Sequence, residues 1–379
     1  MPTRREARVI PANHDVAKDL LDFIVIGAQK AGTTSLFQYL RHHPEISLPA
    51  SKEVPYFSHD APYARGWAAY MKNLARYDAL ADPTRKWGTV TPQYMVGGVL
   101  QATGDVAIKN NYDERTVPLR IHECLPNVRL IAILRDPVER ALSHHRMAVM
   151  IGRERRSFDD VIGELLRAEA LERARRRPQE ITGYIVWGEY GRILAGYFDV
   201  FPRAQILVVF TDELERAPAQ LLSRIQEFIG VRADFEPHNL GERFRVGAIE
   251  RGFSWTSPSS WMSRSSPLSP QGVQRALWRN SAARAVWRVI PQAGQRRMRR
   301  PYERVAHRVA RRNRRSGSNA VRANAEPSLA TLAQLREHYA EDASQLADLL
   351  GVTPTWQTLP GTQHQAYARY LLRDEGGEH

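Results

Sequence analysis

Apolar residues fall along this chain in two rhythms. Phe23, Ile24, Val25 and Ile26 form an unbroken apolar run ended by Gly27, and Leu130, Ile131, Ala132, Ile133 and Leu134 form another that ends at Arg135. Short apolar runs without polar alternation predict strands covered on both faces, as in a parallel sheet. Residues 205–210 supply a further run. Elsewhere the spacing lengthens to that of helices: Leu36, Phe37 and Leu40 follow the first strand, and Leu222, Ile225, Phe228 and Ile229 precede Gly230. Leu332, Leu335, Tyr339, Leu346 and Leu350 give residues 329–350 the same periodicity before Gly351. Alternating strands and helices predict an α/β fold with a central parallel sheet flanked by helices. We read the 379 residues as one domain with an N-terminal extension at 1–21, an insertion at 254–325, a C-terminal helix within 326–356 that packs on the core, and a polar tail at 357–379.

The first strand runs into the small-residue turn GAQKAGTT and then a helix whose first turn holds Thr33, Thr34 and Ser35. A turn of this kind aims free backbone N–H groups and the positive end of a helix dipole at one spot, which suits a phosphate or another tetrahedral anion. Gly27 and Gly32 let the backbone approach the anion, the three hydroxyls add donors, and Lys30 adds a charge. The glycine spacing is that of the nucleotide-binding pattern GxxxxGK[ST], but Thr33 stands where that pattern has its lysine. An ordinary strand-to-helix turn is the plain alternative.

A second such place follows the strand at 130–134. Asp136 is placed to cap the next helix and Pro137 fits its first turn, so Arg135 emerges at the strand tip, where open α/β sheets bind ligands. Ser143, about two turns on, is expected to face the same cleft, and the pair then holds a second anionic group. The competing reading pairs Arg135 with Asp136 or Glu139 and leaves Ser143 on a helix surface. His144 and His145 read as solvated helix residues rather than metal ligands. Between the two strands, SLPASKEVPYFSHD at 47–60 gathers Lys52, Glu53, Tyr56 and Phe57 in a proline-punctuated loop, either a chemical element or a solvated surface loop with a chance ion pair.

The net charge of +13 is not spread evenly. Residues 251–315 hold sixteen arginines, no lysine and one acid, Glu303, a local charge of +15 that leaves −2 for the rest. This distribution argues against a general nucleic-acid binder. Within it, Arg275, Arg279, Arg284 and Arg288 alternate with Leu277, Trp278, Val286 and Trp287, compatible with a basic amphipathic helix. Such a helix can serve as an acceptor-binding lid, grip an anionic membrane surface through residues 262–315, or be a solvated extension. No stretch reaches the eighteen or so apolar residues of a spanning helix, residues 1–22 lack the apolar segment of a secretory signal, and the single cysteine, Cys124, points to a reducing compartment. A cytoplasmic location, with possible peripheral contact at the inner membrane face, is the expectation.

Two anion sites at two strand tips suggest a ligand with two separated phosphates. Here the sequence resembles the sulfotransferases that use 3′-phosphoadenosine 5′-phosphosulfate, in particular the carbohydrate (heparan-sulfate-type) branch and its bacterial relatives. QKAGTTS at 29–35 resembles their 5′-phosphosulfate loop, LRDPVERALS at 134–143 their 3′-phosphate motif, and KEVPYF at 52–57 the segment whose glutamate serves as base. TPQY at 91–94, VPLRIHECLPNVRLI at 117–131, YFDVFPRAQILVV at 197–209 and LREHYAEDASQLADLLG at 335–351 are weaker similarities, so the resemblance spans most of 22–255 and resumes at 326–356. It implies a P-loop-like three-layer fold. It also implies cofactor contacts from Lys30, Ala31, Gly32, Thr33, Thr34, Ser35, Arg135 and Ser143, catalysis by Lys30 and Glu53, no required metal, and a glycan, glycolipid or glycosylated small-molecule acceptor that offers a hydroxyl. Pro55 stands where close animal relatives have histidine and Val90 where they have lysine, and their late lysine-glycine-arginine loop is not recognisable, although Arg243, Arg245 or Arg322 can replace it. A P-loop kinase or NTPase, with Asp136 as a metal-binding aspartate, is the enzymatic alternative, and a non-catalytic basic membrane- or polyanion-binding protein the other.

Overall fold

The computed structural model describes residues 20–50, 52–75, 84–100, 113–242, 244, 326–354 and 356. Five parallel strands, β1 (Phe23–Gly27), β2 (Ile46–Ser47), β3 (Lys86–Val90), β4 (Arg129–Leu134) and β5 (Ile206–Phe210), form one sheet in the order β2-β3-β1-β4-β5. The apolar runs behave as their composition dictates. Phe23, Ile24, Val25, Ile26, Leu130, Ile131, Ala132, Ile133 and Leu134 are wholly buried, because helices cover the sheet on both faces.

The chain places β2 and β3 on one side of β1 and then crosses to lay β4 on the other. The order therefore reverses between β1 and β4, and ligands of open α/β sheets bind at such a point, beyond the carboxyl ends of the strands. The β1–β4 register steps by one residue between Val25 and Gly27, a bulge that re-aims the end of β1 just before its loop.

The helices in chain order are α1 (Thr33–Leu40), α2 (Asp60–Ala64), α3 (Trp67–Ala75), α4 (Thr116–Cys124), α5 (Pro137–Met150), α6 (Phe158–Leu165), α7 (Ala168–Arg176), α8 (Tyr190–Phe198), α9 (Thr211–Arg216), α10 (Pro218–Ile229) and α11 (Leu329–Leu350). As the periodicity indicated, α10 and α11 end at Gly230 and Gly351, both left-handed. The last helix returns to the sheet domain. Its Asp342 carboxylate accepts the N–H groups of Gly191 and Arg192 at 2.9 Å each and so caps α8, and its Tyr339 hydroxyl donates to the Ile185 carbonyl at 2.9 Å. At Gly191 a Cβ would overlap the Asp342 carbonyl oxygen, so this close helix contact requires glycine. Glu189, 2% exposed, ties the same region together through Arg175, Arg192 and His338.

The arginine-rich insertion, Arg243, Arg245 and Arg322 lie outside the described residues. Among the described residues no helix is long and apolar enough to cross a membrane.

Candidate active site

The loop after β1 is shaped by two left-handed residues, Lys30 at φ +71° and Gly32 at φ +97°. For lysine this conformation costs on the order of 1 kcal/mol, so the surrounding contacts must enforce it. They do: the Ala28 N–H donates to the Ile133 carbonyl at 2.7 Å, and the Thr211 hydroxyl lies 2.7 Å from the Ala31 carbonyl oxygen and 3.0 Å from that of Leu134. One hydroxyl thus fastens the loop to the end of β4. Gly32 offers α1 no side-chain cap, which leaves the N–H groups of Thr33, Thr34 and Ser35 at the mouth of the loop. Leu36 is the first to bond within the helix, to the Gly32 carbonyl at 3.1 Å. The Ser35 hydroxyl accepts from the Phe244 N–H at 3.2 Å and keeps its own proton to donate. The donor set of this loop fits an anion.

At the tip of β4, Asp136 caps α5 by accepting from the Val138 and Glu139 N–H groups at 2.8 and 3.1 Å. That bond pattern gives its carboxylate a structural job. Arg135 donates through Nε and Nη2 to Glu139 Oε2 at 3.0 and 2.9 Å, the ion pair foreseen as the competing reading, while its Nη1 lies 3.5 Å from the Lys30 carbonyl oxygen. Both features hold at once. Ser143 is half-buried on α5, between Leu142 and His144.

His144 and His145 are not solvated, contrary to the sequence-based expectation: they are 0% and 1% exposed. The chain at 177–189 covers this face of α5, so the His144 ring stacks on Trp187 with centroids 5.0 Å apart, and His145 meets Phe158 and Tyr184 edge-on. Burial pushes His144 down to about 4 and lowers His145 as well.

The third predicted motif, KEVPYF, is no solvated loop. Tyr56 and Phe57 are buried among Trp67, Tyr70 and Tyr94. The turn after β3 holds it in place: Thr91 Oγ1 accepts from the Val54 N–H at 3.3 Å, and the Tyr94 hydroxyl accepts from the Tyr56 N–H at 3.3 Å and donates to the Val54 carbonyl at 3.1 Å. Glu53 is consequently held between two donors, with Lys52 Nζ 2.9 Å from Oε1 and Gln93 Nε2 2.5 Å from Oε2. The weak TPQY similarity thus marks the support of the stronger KEVPYF motif.

Charge links these pieces. Burial, then the cations of Arg135, Lys52 and Arg140, push the Lys30 ammonium down to about 8, while Glu180 pulls it the other way. Lys30, Arg135 and Lys52 are therefore near enough for their charges to interact, and Glu53 is ion-paired to Lys52. The sequence reading missed Glu180, Arg140 and Gln29, which lie against the same loop. Arg140 and His144 carried a signal in their i,i+4 spacing on α5. Glu180 lies in a stretch without periodicity and carried none. Among the described residues no group of three or more His, Cys, Asp or Glu side chains is arranged to hold a metal ion.

A family model described as a sulfotransferase domain matches residues 20–244, from the strand that precedes the Lys30 loop to the end of the chain segment that closes over α1. The chain belongs to the sulfotransferase domain family. It is 38% identical over 130 residues to the membrane-associated sulfotransferase kil1 of Dictyostelium discoideum, covering 34% of this chain and 23% of that one. It is 28% identical over 220 residues to mouse heparan sulfate glucosamine 3-O-sulfotransferase 3B1, covering 57% of this chain and 47% of that one. The chain thus spans less than half the length of either relative. A sulfotransferase structure from Alicyclobacillus acidocaldarius is 26% identical and covers 60% of this chain and 87% of that one, with a TM-score of 0.47.

Proposed function

We propose that this protein transfers a sulfuryl group from 3′-phosphoadenosine 5′-phosphosulfate to a hydroxyl of a glycan, glycolipid or glycosylated small molecule. The observation that carries the reading is the meeting of Lys30 and Arg135 at the tips of adjacent strands, and the Lys52 ammonium that acts on Lys30 is itself ion-paired to the carboxylate of Glu53. The bound nucleotide supplies the sulfuryl group and a phosphate leaving group. The first-turn N–H groups and hydroxyls of Thr33, Thr34 and Ser35, with Ala31 and Gly32, hold the 5′-phosphate, while Arg135 and Ser143 take the 3′-phosphate. Lys30 stabilises charge on the bridging oxygen as its bond to sulfur breaks, and Glu53 accepts the proton of the acceptor hydroxyl as the new O–S bond forms. Positioning and charge stabilisation carry such in-line displacements.

The names of relatives that act on heparan sulfate support a glycan acceptor. The kinase or NTPase reading is weakened by Thr33 in place of the pattern's lysine, and Asp136, its candidate metal-binding aspartate, caps α5 through Oδ1. We assign the basic insertion at 254–325 to acceptor contact or, through residues 262–315, to anionic-membrane contact at the inner membrane face. The single buried cysteine supports a reducing, cytoplasmic setting. The test is incubation of the full chain with the sulfated nucleotide and a panel of glycans and glycolipids, with mass detection of sulfated product. Acceptor-dependent release of 3′,5′-bisphosphoadenosine is expected from the wild type and not from Lys30→Ala. Equal release from both would overturn the reading.

A further inference from the structure

A buried polar chain runs through α5 to the Lys30 loop, and the proposed chemistry leaves it without a role. Arg140, fully buried, donates through Nη2 to the carbonyls of Gly183 and Tyr184, and its Nη1 lies 3.5 Å from His144 Nδ1. A guanidinium can only donate, so Nδ1 is the acceptor and the imidazole proton sits on Nε2. That nitrogen faces Glu180 Oε1 at 3.6 Å, and the same oxygen accepts from Gln29 Nε2 at 3.2 Å. With Nδ1 accepting, the Nε2–H edge of the ring faces Glu180 at 3.6 Å without a hydrogen bond, and Glu180 in turn accepts from Gln29, the residue next to Lys30.

We propose that Glu180, oriented by His144 and Arg140, is a positioning residue that fixes Gln29 and, through it, the place of the Lys30 side chain in the anion loop.

Three observations support this. A buried carboxylate is kept here at a cost: burial opposes its charge, and the His144 and Gln29 contacts outweigh that and hold Glu180 below the usual carboxylate range, hence ionised. The segment that carries it is braced from two elements, α5 through Arg140 and α11 through Tyr339. Finally, Glu180 opposes the burial and the Arg135, Lys52 and Arg140 cations that act on Lys30. Glu180 itself is faced by His144, Gln29 and Arg153. Removing its charge takes away a carboxylate that opposes those cations at Lys30.

The inference rests on Lys30 acting in transfer, so the experiment reads both. In the full chain, Glu180→Gln is expected to lower kcat by roughly 10- to 100-fold, to change the KM for the sulfated nucleotide by less than about 3-fold, and to move the alkaline limb of the kcat/KM profile down by roughly half a pH unit or more. Gln29→Ala, on the half-exposed loop, serves should Glu180→Gln not fold: it cuts the same link without removing the charge, so kcat should fall while the alkaline limb stays. Wild-type kcat and pH profile in Glu180→Gln, or wild-type kcat in Gln29→Ala, would overturn the assignment, and with Lys30→Ala inactive the transfer reading would survive it. Full activity of Lys30→Ala would sink both.

Discussion

Arg135 Nη1 lies 3.5 Å from the carbonyl oxygen of Lys30, although 105 residues separate the two in the chain. This meeting follows from parallel pairing of β1 and β4, whose registers bring Gly27 opposite Ala132 and so put both loops at one end of the sheet. The arginine proposed to receive one end of a doubly phosphorylated ligand thereby braces the backbone of the lysine proposed to serve the other.

In the proposed mechanism the Lys30 ammonium, held down to about 8, must be charged to assist the leaving oxygen. In the free enzyme, kcat/KM is therefore expected to decline as pH rises through about 8, and Lys30→Ala should lose ~10³-fold or more in kcat while the affinity for 3′,5′-bisphosphoadenosine weakens far less. Stability moves the opposite way. Because its folded value is lowered, Lys30 imposes a penalty that is complete below about 8 and is relieved as pH rises toward the ordinary 10.5. Lys30→Met should accordingly gain roughly 1 to 3 kcal/mol at neutral pH in phosphate-free buffer, seen as a raised thermal midpoint.

Glu53 accepts from two donors, Lys52 and Gln93; a neutral amide of the same shape keeps one of these bonds as it stands and the other only if Gln93 turns its own amide oxygen toward it. Glu53→Gln should fold, bind the bisphosphorylated nucleotide within a few-fold of wild type, and lose about 10²- to 10⁴-fold in turnover. Calorimetry beside a rate assay separates the two effects; unimpaired turnover would assign the proton to another base.

The Thr211 hydroxyl bridges the Ala31 and Leu134 carbonyls. Thr211→Val leaves the loop without that tie, with an expected loss of about 1 to 2 kcal/mol in stability and a weakened nucleotide affinity, whereas Thr211→Ser should retain both. Chemical denaturation and titration of the two variants check this.

Burial would raise Glu189, but His338, Arg175 and Arg192 hold it down to about 2. A carboxylate with a depressed folded value stabilises the protein above its ordinary value of 4.5 and loses that contribution as pH falls toward about 2. Glu189→Gln should therefore lower the thermal midpoint at pH 7, by an amount equivalent to roughly 2 to 4 kcal/mol, and flatten the acid limb of the stability profile.

The sheet and the anion loop were legible in the sequence because they obey local rules. Unbroken runs such as Leu130 to Leu134 have no polar face to show water, and glycines at Gly27 and Gly32 mark a turn wherever they fall. The helix faces were legible only where one side meets solvent. His144 and His145 looked solvated because polar residues on a helix usually are, and only the distant chain at 177–189 buries them. Glu180 lies 151 residues from Gln29 and is joined to it by tertiary packing alone, so no local pattern points to it. The basic helix expected at 273–290 lies outside the described residues.

Titration calorimetry of the wild-type chain with 3′,5′-bisphosphoadenosine, alongside adenosine 5′-phosphate and ATP, bears most directly on two anion positions at neighbouring strand ends. Binding of the bisphosphate at least about 100-fold tighter than either competitor is expected, with the advantage lost in Arg135→Ala. Equal affinity for ATP, or an advantage that survives in Arg135→Ala, would contradict it.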